Sequence, residues 1–561
     1  MGKIKDSSPQ EPIALLRMYL SNPSSKSWKN IIELLKSTKK SERPFLLEYA
    51  KLHLPSWPDE LREYPLRNPV LLRTVPAYLQ EIAIALDLSE HHFTKRQIKS
   101  LALRKFLANV THLNLSGAYL SGNDMLELIE AGLFEKVTHL DLSGRYRRYK
   151  RTGYNGPGDS LVRGLAKCYQ LNHLKHLNLR FRGLSNDGLR ILAESEVFKN
   201  LTHLDLSHNC IKIRGVKALS KSPYLTNLSV LDLSENNVSP SGAKALATSP
   251  ILQNVTSLNL HNSNIGDQGI QALAKTKSIP NLTHLNLSEN NITGMGLVTL
   301  SEAPLLQKLK SLNLSNNAID VTGIKALIAS NNTGSLEHLK LANNQMADEE
   351  AIAFSDFAPN INIKSLDISQ NDFTGKGFLS IVQSQTATQL DTLKISSTDL
   401  NKECMTELAN LETIWEIEHL DLSHSCFEGE AFDAMLDSKL LWNLSHLKLS
   451  DCSIGMLELD MLLASEKLTK LHTLSISKNN FRLDELDLQI TKLKCPPNLA
   501  TLDVSSLLIS HEDSKTIKKL KQYHRVTIIG LSDICRKERD KTQKEKWKTH
   551  SRRKKYPYWK T

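Results

Sequence analysis

Residues Leu201–Tyr224 read LTHLDLSHNCIKIRGVKALSKSPY. The first half alternates, with Leu204 and Leu206 two residues apart. That spacing predicts a short strand with both leucines facing inward. The second half places Gly215, Val216 and Leu219 at helical spacing. The apolar period thus switches from 2 to about 3.6 inside one unit. Such a unit cannot bury its own apolar face, but stacked copies bury one continuous core between a parallel sheet and a row of helices.

Working outward, the leucine-x-leucine signature recurs from Leu86, Leu113, Leu140, Leu177, Leu204, Leu231, Leu258, Leu285, Leu312, Leu339, Leu366, Leu393, Leu420, Leu447, Leu474 and Leu502. Every step from Leu177 to Leu474 is 27 residues, whereas Leu140 to Leu177 is 37 and the last step is 28. A degenerate final copy is expected to start at Val526, in Val526-Thr527-Ile528. Five residues after the signature leucine stand Asn209, Asn236, Asn290, Asn317, Asn344, Asn371 and Asn479. An Asn at a bend can satisfy backbone groups that water cannot reach. Ser263, Thr398, Ser425 and Cys452 take the slot elsewhere, and the early copies hold His91, Ala118, Arg145 and Arg182. The expected fold class is α/β: a curved solenoid with a parallel sheet on its concave face, helices on its convex face and degenerate copies at both ends. Strands spaced about 4.8 Å make such a sheet roughly 70 Å long.

These residues resemble the leucine-rich repeat family, close to its ribonuclease-inhibitor type. The helical halves Gly242-Ala-Lys-Ala-Leu-Ala247 and Gly269-Ile-Gln-Ala-Leu-Ala274 are similar to the "GALA" sub-type of some bacterial effectors. The resemblance spans about residues 80–530. It implies a solenoid that binds proteins on its concave sheet, and it leaves the partner open.

The flanks differ from the repeats. Residues 1–79 are expected to form a helical N-terminal cap region, with helical spacing over Pro12–Leu20, Ser27–Leu35 and Phe45–Leu54. Within it, LPSWPDELREYP (Leu54–Pro65) faintly resembles the opening of an F-box. Residues 80–535 are the expected solenoid, and 536–561 an expected disordered basic tail. The chain has 561 residues and a net charge of +11, to which the tail contributes +9, residues 1–79 +5 and the repeats −3. The charge therefore belongs to the flanks. No apolar run is long enough to cross a membrane. With no apolar signal core, the expected location is the cytoplasm, with nuclear or host-cell targeting through Arg552, Arg553, Lys554 and Lys555.

Enzyme signatures are lacking: there is no phosphate loop, zinc helix or nucleophile elbow. The glycines Gly266, Gly269, Gly294 and Gly296 read as turn residues of the repeat. No cofactor and no metal are expected. His112, His139, His176, His203, His284, His338, His419 and His446 each precede a signature leucine, with Asp or Asn following it in most copies. This reads as the repeat template making a protein-contact surface, weakly pH-sensitive near the usual histidine pKa. The lead reading is a non-enzymatic interaction scaffold. Asp205, Asp232, Glu235, His284, Asn286, Glu289, Asn313, Asn316, Lys340 and Asp367 are the expected partner-binding positions on the concave face. The insertion after the strand at Leu140 supplies Arg145, Tyr146, Arg147, Arg148, Tyr149 and Arg151, residue types common in binding hot spots. The tail suits an acidic partner, nucleic acid or an anionic membrane. A monomer is expected. The alternatives are a ubiquitin-ligase substrate adaptor or GALA-type effector, and a nucleic-acid-associated protein acting through the tail.

Overall fold

The computed structural model describes residues 10–63, 76–91, 93–94, 96–97, 109–118, 120–130, 134–145, 157–355, 362–427, 430–480, 496–505 and 527–529. The chain divides into two compact units, Met1–Asn286 and Leu287–Thr561. The repeats form an α/β solenoid of parallel strands and helices.

The first unit opens with three helices, α1 (Gln10–Leu20), α2 (Ser25–Ser37) and α3 (Arg43–His53). Their buried faces carry Leu16, Leu20, Trp28, Ile31, Leu35, Leu46 and Ala50. Ser24 caps α2 by accepting a hydrogen bond from the Ser27 amide at 3.1 Å. Trp28 and Trp57 meet edge to face at 6.5 Å. Their indoles donate to the carbonyls of Glu63 and Leu20, at 2.7 and 3.0 Å. The fragment that resembles an F-box opening folds as two short 3-10 turns, Leu54–Ser56 and Asp59–Leu61. Beyond them, Glu63 bridges Ala85 in parallel. The carbonyl of Arg62 accepts from the Ile84 and Ala85 amides. The first repeat strand therefore does not present a bare edge to solvent.

The described strands of this unit are β1 (Ala85–Asp87), β2 (His112–Asn114), β3 (His139–Asp141), β4 (His176–Asn178), β5 (His203–Asp205), β6 (Val230–Asp232), β7 (Ser257–Asn259) and β8 (His284–Asn286). They pair in parallel in sequence order, with signature leucine opposite signature leucine in every pair. The ten-residue insertion between β3 and β4 leaves this register intact. The second unit repeats the scheme with β9 (Ser311–Asn313), β10 (His338–Lys340), β11 (Ser365–Asp367), β12 (Thr392–Lys394), β14 (His419–Asp421), β16 (His446–Lys448), β17 (Thr473–Ser475), β18 (Thr501–Asp503) and β19 (Thr527–Ile529). A separate two-stranded ladder joins β13 (Asp399–Leu400) to β15 (Cys426–Phe427).

The central leucine of each complete repeat is buried, as are the second leucine and the apolar helix positions, for example Leu204, Leu206, Val216 and Leu219. The two residues flanking the central leucine point to the opposite face and stay at least partly exposed in most strands. The Asn slot works by hydrogen bonding. Asn236 Nδ2 donates to the carbonyls of Leu206, Leu233 and Ser234 at 2.9–3.1 Å. Its Oδ1 accepts from the Ile211 amide at 3.1 Å. In the second unit, Asn317 makes the equivalent bonds to Leu287, Leu314 and Ser315.

Three expectations are corrected. Ile528, rather than Val526, takes the leucine register, because it lies opposite Leu502. Gly269, Gly294 and Gly296 lie inside helices; of the four repeat glycines, only Gly266 has a left-handed backbone, with φ +58°. Arg182 is not a degenerate substitute. It is 3% exposed, and its guanidinium donates to the carbonyls of Leu142 and Ala118, serving backbone groups as the Asn does. Burial lowers its pKa to about 10.

Candidate interaction face and groove

On the outward face of β2–β5, four imidazoles stack: His112 on His139 at 3.8 Å, His139 on His176 at 3.9 Å, and His176 on His203 at 3.8 Å. The repeat makes this stack, because parallel in-register strands place identical positions one strand spacing apart. Burial, and then neighbouring imidazoles, push His139 down to about 3 and His176 down to about 4. His203 is lowered by burial as well. The expected sensitivity near the usual histidine pKa is therefore corrected for His139 and His176, which stay neutral well below 6.5.

The preceding threonine contacts both the neighbouring backbone and the ring. Thr138 Oγ1 donates to the Thr111 carbonyl at 3.3 Å, and Thr202 Oγ1 to the Lys175 carbonyl at 3.1 Å. A hydroxyl has one proton to give. Each hydroxyl also lies 2.9 Å from the adjacent ring nitrogen, His139 Nδ1 or His203 Nδ1. With the hydroxyl proton given to the carbonyl, Nδ1 carries the ring proton and the distal Nε2 a lone pair. Thr283 and His284 repeat the arrangement at the last strand of the unit.

Beside the histidines runs the second outward row, Asp87, Asn114, Asp141, Asn178, Asp205 and Asp232. One carboxylate oxygen of each Asp accepts from the amide two residues on, as Asp141 Oδ1 does from Ser143 at 2.7 Å. Asn178 Nδ2 donates to the second oxygen of Asp141 at 3.1 Å. The two rows, with Glu60 and Glu63 from the turn before β1, line an open groove of about 530 Å³. Burial raises the Asp205 pKa. Among the described residues, no group of three or more His, Cys, Asp or Glu is placed to hold a metal ion.

The model matching the chain is Leucine Rich repeat, at residues 199–220, 224–247, 252–274, 278–301, 306–327 and 360–382. The matched repeats are leucine-rich repeats. Among solved structures, the leucine-rich-repeat chain is similar to an internalin from Listeria monocytogenes, at 21% identity over 64% of this chain and 81% of that one, with a TM-score of 0.33. It is also similar to the yeast Rad7 and Elc1 complex structure, at 16% identity over 67% of this chain and 88% of that one, with a TM-score of 0.40. No curated protein matches. No described helix is long and apolar enough to cross a membrane.

Sequence reasoning placed its candidate residues in both units. In the first, Asp205, Asp232, His284 and Asn286 lie on outward strand positions. Glu235 lies in the turn after β6, at φ +56°. There it accepts from Asn262 Nδ2 at 3.0 Å and stands 3.4 Å from His261 Nε2. In the second, Asn313, Lys340 and Asp367 are outward strand residues, while Glu289 and Asn316 occupy left-handed turn positions. Lys394 stands 3.8 Å from Asp367. Arg145 is engaged already: it donates to the Glu90 carbonyl at 2.7 Å and pairs with its carboxylate at 2.5 Å. Tyr146, Arg147, Arg148, Tyr149 and Arg151, and the tail residues Arg552, Arg553, Lys554 and Lys555, lie outside the described residues. Glu60, Glu63 and Asp87 were not singled out in the sequence, whereas Asp141 belongs to the expected ladder of His and Asp on the concave surface. The signal for Asp87 and Asp141 was present in the aligned copies, but nothing in residues 54–63 announced that they would border the same groove.

Proposed function

We propose that this leucine-rich-repeat chain is a non-enzymatic scaffold that captures a protein partner on the outward face of its sheet. The observation that carries this reading is the face itself. Its side chains are mostly polar and at least partly exposed, while the repeat leucines beneath are buried. A rigid lattice of this kind loses little ordering entropy on binding. The turn residues Glu235, Glu289 and Asn316 would border the contact. The Arg145–Arg151 loop would add a second one, and the basic tail an attachment to an acidic partner. The 27-residue step and the glycine-led helices favour a ribonuclease-inhibitor-like or GALA-like repeat.

The test is affinity capture with the full chain, followed by affinity measurement with the purified captured protein. Asp232→Lys, Lys340→Glu and Asp367→Lys are expected to weaken binding while leaving the fold intact. Unchanged affinity across all three would remove the sheet face as the binding surface.

A further inference from the structure

The groove of the first unit has one-sided chemistry. Six carboxylates border it, those of Glu60, Glu63, Asp87, Asp141, Asp205 and Asp232, and no lysine or arginine is among its described lining residues. The histidine edges add ring nitrogens at His139 and His203. His112 is nine-tenths buried, and its Nε2 faces Glu60 Oε1 across 4.0 Å with no hydrogen bond to a described residue. The groove therefore offers mostly acceptors, and a ligand that fits must bring donors and positive charge.

Spacing narrows the ligand further. Asp87, Asp141 and Asp205 alternate with Asn114 and Asn178 along successive strands. Neighbouring strands lie about 4.8 Å apart, so the three carboxylates repeat at about 9.6 Å. A polyproline-II segment rises about 3.1 Å per residue with three residues per turn, so every third side chain returns to one face after about 9.3 Å. A fully extended strand brings alternate side chains back after about 6.7 Å and falls out of step. Arginine suits these sites, because its planar fork matches the geometry of a carboxylate.

We propose that this groove docks an arginine-bearing polyproline-II segment of a partner protein, with arginine at every third position lying across β1–β5. The proposal rests on the scaffold reading above and names the chemistry of one partner element.

The experiment titrates the full chain into a labelled (Arg-Pro-Pro)3 peptide at low salt, read by fluorescence anisotropy. The controls are (Glu-Pro-Pro)3 and a peptide of the same composition with its arginines in one block. Saturable binding of the first peptide is expected, with the block peptide weaker and the acidic peptide inert. Asp141→Asn and Asp205→Asn should each weaken binding about tenfold. Both should fold, because Asn114 and Asn178 already occupy that strand position, and thermal unfolding checks this. Equal binding of the block peptide, or unchanged affinity in both variants, overturns the proposal. A full chain with Arg552, Arg553, Lys554 and Lys555 all replaced by serine completes the set. If the peptide binds only to that variant, the occupant is the chain's own tail, and a partner segment is excluded. Loss of the peptide result with retained capture by the sheet face would sink this inference alone and leave the scaffold function standing.

Discussion

At the scale of single residues, the slot five positions after the signature leucine does more than fill space. Asn236 serves three carbonyls and one amide that no water reaches. Asn236→Ala should cost about 1–3 kcal/mol through the groups left unpaired, read as a lower urea midpoint. Ser263 and Cys452 also donate to backbone carbonyls from this slot, and Arg182 reaches the carbonyls by length instead. The left-handed turn positions carry a different tension. Glu289 has φ +56° and is exposed. Glu289→Gly should raise stability by about 0.5–1 kcal/mol by relieving that backbone. If Glu289 contacts the partner, the same change should weaken capture. A variant no more stable than the parent would show that the turn stores no strain.

At the scale of elements, the histidine ladder couples stability to pH. His139 and His176 are held neutral in the fold, at about 3 and 4, against an ordinary value of 6.5. Below 6.5 the unfolded chain binds protons that the folded chain refuses. Their contribution is therefore complete above 6.5 and is lost progressively as pH falls toward 3–4. His139→Gln should flatten the fall of the thermal midpoint between pH 7 and 4. Identical pH slopes in parent and variant would remove the ladder as the cause. The ladder was half legible in the sequence. The Thr-His-Leu template placed the rings in register, but stacking distance and burial set their protonation.

At the scale of the whole chain, the charge belongs to the flanks: the repeats carry −3 and the tail +9. Replacing Arg147, Arg148 and Tyr149 together by alanine should weaken capture of the partner if the loop is a second contact. Unchanged affinity would discard the loop. Contacts made through the tail should weaken steeply as salt rises, because they rest on exposed charge. A salt-independent contribution of residues 536–561 would exclude that role. Both segments are basic, whereas the groove is bordered by carboxylates.

The sequence by itself determined the repeat, the strand register and the inward leucines, because a fixed apolar period has one packing solution when copies stack. It also determined the Asn slot, since a buried bend must satisfy its own backbone. The tertiary structure decided what periodicity does not encode. It brought Glu60 and Glu63, from a segment with no repeat, to the border of the histidine and aspartate rows. It tied Arg145 to Glu90 across 55 residues. It also lowered the histidine pKa values, because desolvation depends on what surrounds a ring, and a linear pattern does not say what will.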